Sequence, residues 1–175
     1  MAHRFRAGLS GSLLLFVSSV AAASYSPEPA MPAKLPGVAE LCTEVGNKLG
    51  SVSIRDCKRQ GLVSSGERSV LGRTLAVKEY APIPPKRPLG RILVIGGIHG
   101  DEYSSVSVVF KWMDILNKHH SGLFHWRFVP VSNPDGLLRK ESQRQNERGV
   151  DLNRNFPTSD WEALSDDYWI RRTGK

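Results

Sequence analysis

The spacing of apolar residues predicts two helices in this chain. Over residues 38–49, apolar side chains recur at the intervals of one helical face, and Gly50 then ends the pattern. Over residues 102–118, a longer amphipathic stretch predicts a second helix. We expect Asp101 to serve as its N-cap or as an acid in its first turn. Glu102 is expected in that same turn, where negative charge is favourable.

Shorter apolar segments predict strands over residues 73–80, 91–95 and 125–131. The first segment alternates in polarity, whereas the second is almost entirely apolar and β-branched, which is typical of a buried strand. Prolines between residues 82 and 88 separate these two strands, and we expect the two strands to pair as a hairpin at the edge of the sheet. Residues 51–65 are predicted to be irregular or strand-like.

The order strand, helix, strand from residue 91 to residue 131 predicts a parallel pair joined by a right-handed crossover. We therefore predict an α/β fold with a mixed, mostly parallel sheet flanked by helices, incomplete at its C-terminus. The carboxyl ends of parallel strands meet at one edge of the sheet, where α/β proteins bind their ligands. The sequences HGDE and NPDG follow the two strands and are expected together at this edge.

His99 and Glu102 of the HGDE sequence are candidate metal ligands. Imidazole nitrogen and carboxylate oxygen both bind zinc, and a catalytic zinc site uses three protein ligands while a fourth position stays open. The alternative is a polar loop whose acidic residues begin the next helix, and HGDE alone does not decide between the two. His119, His120 and His125 are poor third ligands, because they lie at the far ends of the predicted helix and strand.

The first 23 residues have the features of a secretory signal peptide. Two arginines precede an apolar segment, and Ala21 to Ala23 form a cleavage site of small residues. The apolar segment is shorter than the ~20 residues of a membrane-spanning helix, so a retained anchor is the weaker alternative. We expect an exported protein, periplasmic or secreted, without stable membrane insertion.

Cys42 and Cys57 are the two cysteines of the sequence. In an oxidising compartment a disulfide between them is the simplest interpretation, and two free thiols or a thiol nucleophile are the alternative. The predicted organisation is a signal peptide over residues 1–23, a proline-rich linker over 24–37, a small N-terminal segment with this disulfide over 38–65, and a remaining portion over 66–175.

Four motifs occur in order between residues 99 and 157: HGDE, NPDG, RQN and GVDLNRNFP. In this order and spacing they resemble the zinc carboxypeptidase family of carboxypeptidase A type, including its bacterial branch similar to murein peptide amidases. The resemblance covers roughly residues 73–175. It implies a zinc metallopeptidase, with one zinc ion per complete enzyme, that hydrolyses an amide bond next to a carboxylate-bearing residue.

The resemblance also implies roles for individual residues. His99 and Glu102 match the first two zinc ligands of the family. Arg144 matches the arginine that binds the substrate and acts in catalysis, because it polarises the scissile carbonyl and stabilises the oxyanion. Asn153 and Arg154 match the pair that binds the terminal carboxylate of the substrate. These residue types suit those roles, since guanidinium pairs with carboxylates and a fixed cation stabilises developing negative charge.

The family's third zinc ligand and its general-base glutamate have no match after Pro157. Glu162 lies too close to NRNFP to be that base, and Tyr168 comes too early to be the tyrosine that closes over the substrate. We expect these 175 residues to be the front half of a longer protein, with residues 66–175 as the first half of the catalytic domain. Alone, they are expected to hydrolyse no peptide.

Several functions are compatible with this sequence. The first is an exported metallocarboxypeptidase or murein peptide amidase, acting on a peptide or murein-peptide substrate. The alternatives are a non-catalytic module or remnant that binds peptide termini, and a deacylase of N-acyl amino acids in the same family. The net charge of +7 is spread among acidic residues rather than gathered in a patch, so no nucleic-acid partner is predicted. The sequence makes no prediction of oligomeric state.

Overall fold

The structure is a computed structural model that describes residues 37–84 and 87–173. The predicted signal peptide lies outside these residues, as does the predicted linker apart from Gly37. The strands are β1 (Val63–Arg68), β2 (Thr74–Tyr80), β3 (Gly90–Ile95) and β4 (Phe124–Val129). The α-helices are α1 (Val38–Lys48), α2 (Ile54–Arg59), α3 (Tyr103–His119), α4 (Pro134–Leu138) and α5 (Trp161–Thr173), and a 3₁₀ turn spans Leu152–Arg154.

The four described strands form one mixed sheet in the order β1-β2-β4-β3. β3 and β4 are parallel, which confirms the predicted crossover pair, and α3 connects them. The predicted hairpin between β2 and β3 is wrong, because β4 lies between them and β2 pairs with β1 instead. Two of the three pairings are antiparallel, so the expected predominance of parallel strands does not hold in the described part of the chain.

One face of the sheet is covered by α3, which buries four apolar side chains: Val106, Val109, Phe110 and Met113. Tyr80 and Phe128 on this face belong to the same core, and the Tyr80 hydroxyl donates to the Met113 carbonyl at 2.9 Å. On the opposite face, Leu93 is 59% exposed. The prediction of a buried β3 is therefore wrong for the described residues, since β3 lies at the sheet edge and α3 covers one face only.

The N-terminal helices belong to the same core as the sheet. Leu41 and Val45 of α1 are buried in that core, and a disulfide joins Cys42 to Cys57 of α2 with their Cα atoms 5.4 Å apart. β1 begins at Val63 and continues past residue 65. The predicted boundary between residues 65 and 66 falls within this strand.

Three local predictions need correction. α3 begins at Tyr103 with Glu102 as its N-cap, so Asp101 is neither the cap nor a first-turn acid, and Glu102 lies one position before the first turn. Residues 51–65 contain helix α2 as well as the start of β1. The NPDG sequence forms the start of the short helix α4, with Asn133 as its N-cap. Within the described ranges, no helix is both long and apolar enough to cross a membrane.

Candidate active site

The HGDE and NPDG sequences meet at the carboxyl ends of β3 and β4, as predicted. The backbone amide of Asn133 donates to the carbonyl of Gly97 at 2.9 Å, directly after the two strands end. The Asn133 side chain is buried, and its amide nitrogen donates to the carbonyls of Ile98 and Arg144. One asparagine therefore connects the loop that carries His99 with the loop that carries Arg144.

Gly100 allows these loops to approach each other closely. A Cβ atom at this position would lie 2.2 Å from the backbone carbon of Gly136 and 2.6 Å from the carbonyl oxygen of Gln143. Both neighbours are backbone atoms, which cannot rotate away as a side chain could. The glycine between the two predicted metal ligands is therefore required by the packing of three loops against one another.

His99 is buried between two carboxylates. Its Nδ1 lies 2.9 Å from Oε1 of Glu102, and its Nε2 lies 3.2 Å from Oδ1 of Asp151. The His99 side chain is 7% exposed, the Asp151 side chain 4% and the Glu102 side chain 53%. The structure thus brings the two predicted metal ligands together, at a position that opens towards solvent on the Glu102 side.

Asp151 connects His99 with Arg144. Its second carboxylate oxygen, Oδ2, accepts a hydrogen bond from Nε of Arg144 at 2.9 Å, while Nη1 of Arg144 lies 3.8 Å from Oε1 of Glu102. Burial raises the pKa of the Asp151 carboxyl, but the hydrogen bonds from Arg144 and from the backbone amide of Asn153 outweigh burial and hold that pKa below its usual value. Asp151 is therefore held as a carboxylate between a cation and an imidazole.

This geometry fits the first two ligands of a zinc ion. A neutral imidazole carries one ring proton, and if Nε2–H donates to Asp151, the lone pair of Nδ1 faces a carboxylate oxygen of Glu102. Two electron-rich atoms 2.9 Å apart require a cation between them, either a proton or a metal ion. Zinc bonds to nitrogen and oxygen are about 2.0–2.2 Å long, so both atoms can reach one ion. Among the described residues, no further histidine, cysteine or carboxylate joins His99 and Glu102 to form a group of three metal ligands.

Asn153 and Arg154 lie just after Asp151, in the 3₁₀ turn Leu152–Arg154. The backbone amide of Asn153 donates to Oδ1 of Asp151 at 3.0 Å, which fixes the start of this turn. Both side chains are exposed, and the Arg154 guanidinium lies over the ring of Tyr168 rather than against Asp151. The predicted carboxylate-binding pair is thus joined to the His99 cluster through the backbone.

A second ionic cluster surrounds Asp135 of the NPDG sequence. The buried carboxylate of Asp135 accepts from the Ser69 hydroxyl, the Leu71 amide and Nη1 of Arg73, at 2.7, 3.0 and 3.0 Å. Arg73 also donates to Glu44 of α1. Burial lowers the pKa of Arg73, but its hydrogen bonds to Glu44 and Asp135 outweigh burial and raise that pKa. Asp135 is therefore anchored to the segment between β1 and β2 and, through Arg73, to α1.

The sequence of this region also matches a known family. A sequence profile of zinc carboxypeptidases covers residues 58–168, which is well over half of the chain. The chain belongs to the zinc carboxypeptidase family.

Individual proteins are also similar to this chain. Murein peptide amidase A of Escherichia coli K12 is 39% identical over 100 residues, which are 54% of this chain and 36% of the amidase. The same protein of E. coli O157:H7 gives the same values. One similar solved structure is a metallo-carboxypeptidase from Pseudomonas aeruginosa in complex with (2-guanidinoethylmercapto)succinic acid. It aligns with a TM-score of 0.50 and 22% sequence identity, and the alignment covers 69% of this chain and 36% of that one. The chain therefore spans about a third of the length of these relatives, and the structural likeness supports the fold.

Sequence reasoning missed two residues of this candidate site, Asp151 and Asn133. Both lie within the motifs GVDLNRNFP and NPDG that carry the family resemblance, and both are almost fully buried. A buried polar residue inside an irregular, asparagine-rich motif is the signal that could have indicated them, because such a side chain must have fixed hydrogen-bond partners. Which partners they have could be learned only from the fold.

Proposed function

We propose that this chain belongs to an exported zinc metallopeptidase that hydrolyses an amide bond next to a carboxylate-bearing residue. The observation that carries the proposal is the buried His99 ring, with Glu102 on one nitrogen and Asp151 on the other. This arrangement is what a metal-binding histidine requires, since a carboxylate on the far nitrogen fixes the tautomer and orients the ring. Membership of the zinc carboxypeptidase family supplies the reaction class.

His99 and Glu102 would hold the metal in this proposal. Asp151 would keep the proton of the imidazole on Nε2, so that Nδ1 is free to act as a ligand. A zinc ion in such a site supplies Lewis acidity and makes a nearby water molecule more acidic. The loop packing around Gly100 would help to hold both ligands in place before the metal binds, because the backbones of these loops are in close contact.

Arg144 would stabilise negative charge on the scissile carbonyl oxygen. Its Nε is bonded to Asp151, which leaves the Nη groups near Glu102 and next to the predicted metal position. A cation held rigidly where charge develops lowers the reaction barrier without reorganisation. Asn153 and Arg154 would bind the substrate carboxylate, and their exposure is compatible with access by a peptide.

A murein peptide is the substrate that we favour over an ordinary protein C-terminus. The support is the 39% identity with murein peptide amidase A, which extends over more than half of this chain. The predicted signal peptide agrees, because it would deliver the protein to the compartment where murein is found. Hydrolysis of N-acyl amino acids would use the same carboxylate-binding residues on a smaller substrate.

The test is made on the native protein purified from its source cells, so that any further part of the polypeptide is retained. Intact mass and zinc content are measured first, and then the release of products from a murein tripeptide and from an N-blocked peptide with a free C-terminus. We expect about one zinc ion per chain and hydrolysis that a chelator abolishes and zinc restores. Zinc-free protein that binds these peptides without cleaving them would instead support the non-catalytic alternative.

Two histidine variants localise the activity. His99→Ala should abolish zinc binding and hydrolysis together. His125→Ala is the matched control, because His125 also contacts a carboxylate, that of Glu79 at 3.3 Å, but lies at the amino-terminal end of β4. Equal zinc content in the His99→Ala variant and the unaltered protein would contradict the assignment of the metal site.

A further inference from the structure

The segment that follows the GVDLNRNFP motif folds back over Arg154. After the 3₁₀ turn, the chain reaches α5, and the two segments border an open cavity of about 190 Å³. Its lining includes Asn153 and Arg154 together with three aromatic side chains, Phe156, Trp161 and Tyr168. The predicted carboxylate-binding pair therefore lies in the wall of an aromatic cavity.

Two residues of α5 contact Arg154 in different ways. The guanidinium carbon lies 5.2 Å from the centre of the Tyr168 ring, within the range of a cation–π interaction. The indole N–H of Trp161 donates to the Arg154 carbonyl at 2.9 Å. The contact with Tyr168 therefore holds the guanidinium, and the hydrogen bond from Trp161 holds the backbone of Arg154.

The guanidinium retains unused donors in this position. Nη1 donates to the Asn153 carbonyl at 2.9 Å, and within the described residues neither Nε nor Nη2 has a hydrogen-bond partner. A flexible arginine loses considerable side-chain entropy when a ligand immobilises it. A guanidinium that already rests on an aromatic ring loses less of that entropy when it binds a carboxylate.

We propose that Tyr168 and Trp161 are positioning residues that hold the Arg154 guanidinium ready for the substrate carboxylate. This role rests on the proposed function, in which Arg154 binds that carboxylate. It assigns a purpose to α5, which none of the sequence predictions anticipated, and to Tyr168, which does not match the family's substrate-covering tyrosine. Tyr168 acts here through Arg154 and not on the reacting bond.

The test compares two probes that differ only in their terminal group: N-acetyl-phenylalanine, which carries a carboxylate, and N-acetyl-phenylalaninamide, which carries a neutral carboxamide. Their dissociation constants are measured by ligand-detected NMR with the full 175-residue chain. The unaltered chain should prefer the acid. Tyr168→Leu should reduce this preference about two- to fivefold, the range of an exposed cation–π contact, and leave binding of the amide unchanged. Tyr168→Phe should restore most of the preference, because the ring is retained.

Further variants separate positioning from folding. Trp161→Phe removes the indole N–H and keeps an aromatic ring, and it should also weaken the preference for the acid. Ile170→Ala is the matched control on α5, because Ile170 is 58% exposed and does not line the cavity. If both Tyr168→Leu and Trp161→Phe keep the full preference for the acid over the amide, the positioning role is wrong. It is also wrong if these variants weaken the binding of the acid and of the amide equally. If the unaltered chain binds acid and amide equally, the carboxylate role of Arg154 is wrong, and the positioning role fails with it.

Discussion

The cluster around Asp135 and the cluster around Asp151 are built from the same groups. Each contains a buried aspartate, an arginine bonded to it and a second carboxylate nearer the surface. The exposed fraction of the aspartate side chain is 2% for Asp135 and 4% for Asp151. The partners differ, because Arg73 is 19% exposed and Arg144 is 32% exposed.

The two clusters differ in how completely their hydrogen bonds are used. Asp135 receives three donors from fixed parts of the fold, and Arg73 donates to Glu44 through both Nε and Nη2. Arg144 donates only Nε to Asp151, and its nearest contact with Glu102 is 3.8 Å. Within the described residues, the charged groups of the first cluster pair with one another, whereas Arg144 and Glu102 of the second cluster are 32% and 53% exposed and lie 3.8 Å apart. Under the proposed function, this difference would separate an ionic cluster that stabilises the fold from one that binds a substrate or a metal.

The largest expected effect comes from breaking the complete cluster. Asp135→Ala removes the acceptor of the Ser69 hydroxyl, the Leu71 amide and Nη1 of Arg73, while Arg73 keeps its ion pair with Glu44. Because each buried donor left without an acceptor costs about 1–3 kcal/mol, the variant should lower the free energy of unfolding by about 2–4 kcal/mol. Urea denaturation followed by circular dichroism measures this change. Glu67→Ala, at an exposed position of β1, is the control and should change stability by less than about 0.5 kcal/mol. If Asp135→Ala lowers the free energy of unfolding by less than about 1 kcal/mol, the cluster does not anchor the NPDG sequence.

The open cluster should respond in metal affinity more than in stability. Asp151→Asn keeps the shape of the side chain but removes the charge that orients His99, and it should weaken zinc binding about 10- to 100-fold. Competition with a chromophoric chelator measures this affinity in the purified chain. Asp135→Asn is the matched control and should leave the zinc affinity of the folded protein unchanged. If both variants bind zinc equally well, the distinction between the two clusters fails.

The sequence predicted the elements that local pattern determines. The strands β2, β3 and β4 and the helices α1 and α3 were placed within a few residues, because their apolar spacing or β-branched runs are strong local signals. Strand order was not predictable in this way. β4 lies between β2 and β3, an arrangement set by contacts between residues some fifty positions apart, such as Lys78 with Phe128. The exposure of Leu93 likewise depends on which other segments cover the sheet.

The candidate site shows the same limit at the level of single residues. His99, Glu102 and Arg144 were predicted from motifs, and the structure brings them together. The connection between them was not predicted, because it depends on Asp151 reaching His99 across 52 positions of sequence. Motifs therefore identified groups with recognisable chemistry, whereas the fold was needed to find the buried residue that orients them.

A third arginine–carboxylate pair supplies the baseline for this comparison and the smallest expected effect. Arg139 and Glu147 lie 3.2 Å apart in the loop that carries Arg144, close to the distances seen in both clusters, but their side chains are 41% and 33% exposed. Glu147→Ala should therefore change the free energy of unfolding by only about 0–1 kcal/mol, since water already solvates both charges. A double-mutant cycle with Arg139→Ala, measured at low and high salt, isolates the coupling. If burial rather than contact distance decides the strength of these pairs, the coupling energy will stay below about 1 kcal/mol and will fall as salt is added. A larger coupling energy that does not depend on salt would contradict this, and burial would then not explain the stability effect of Asp135 either.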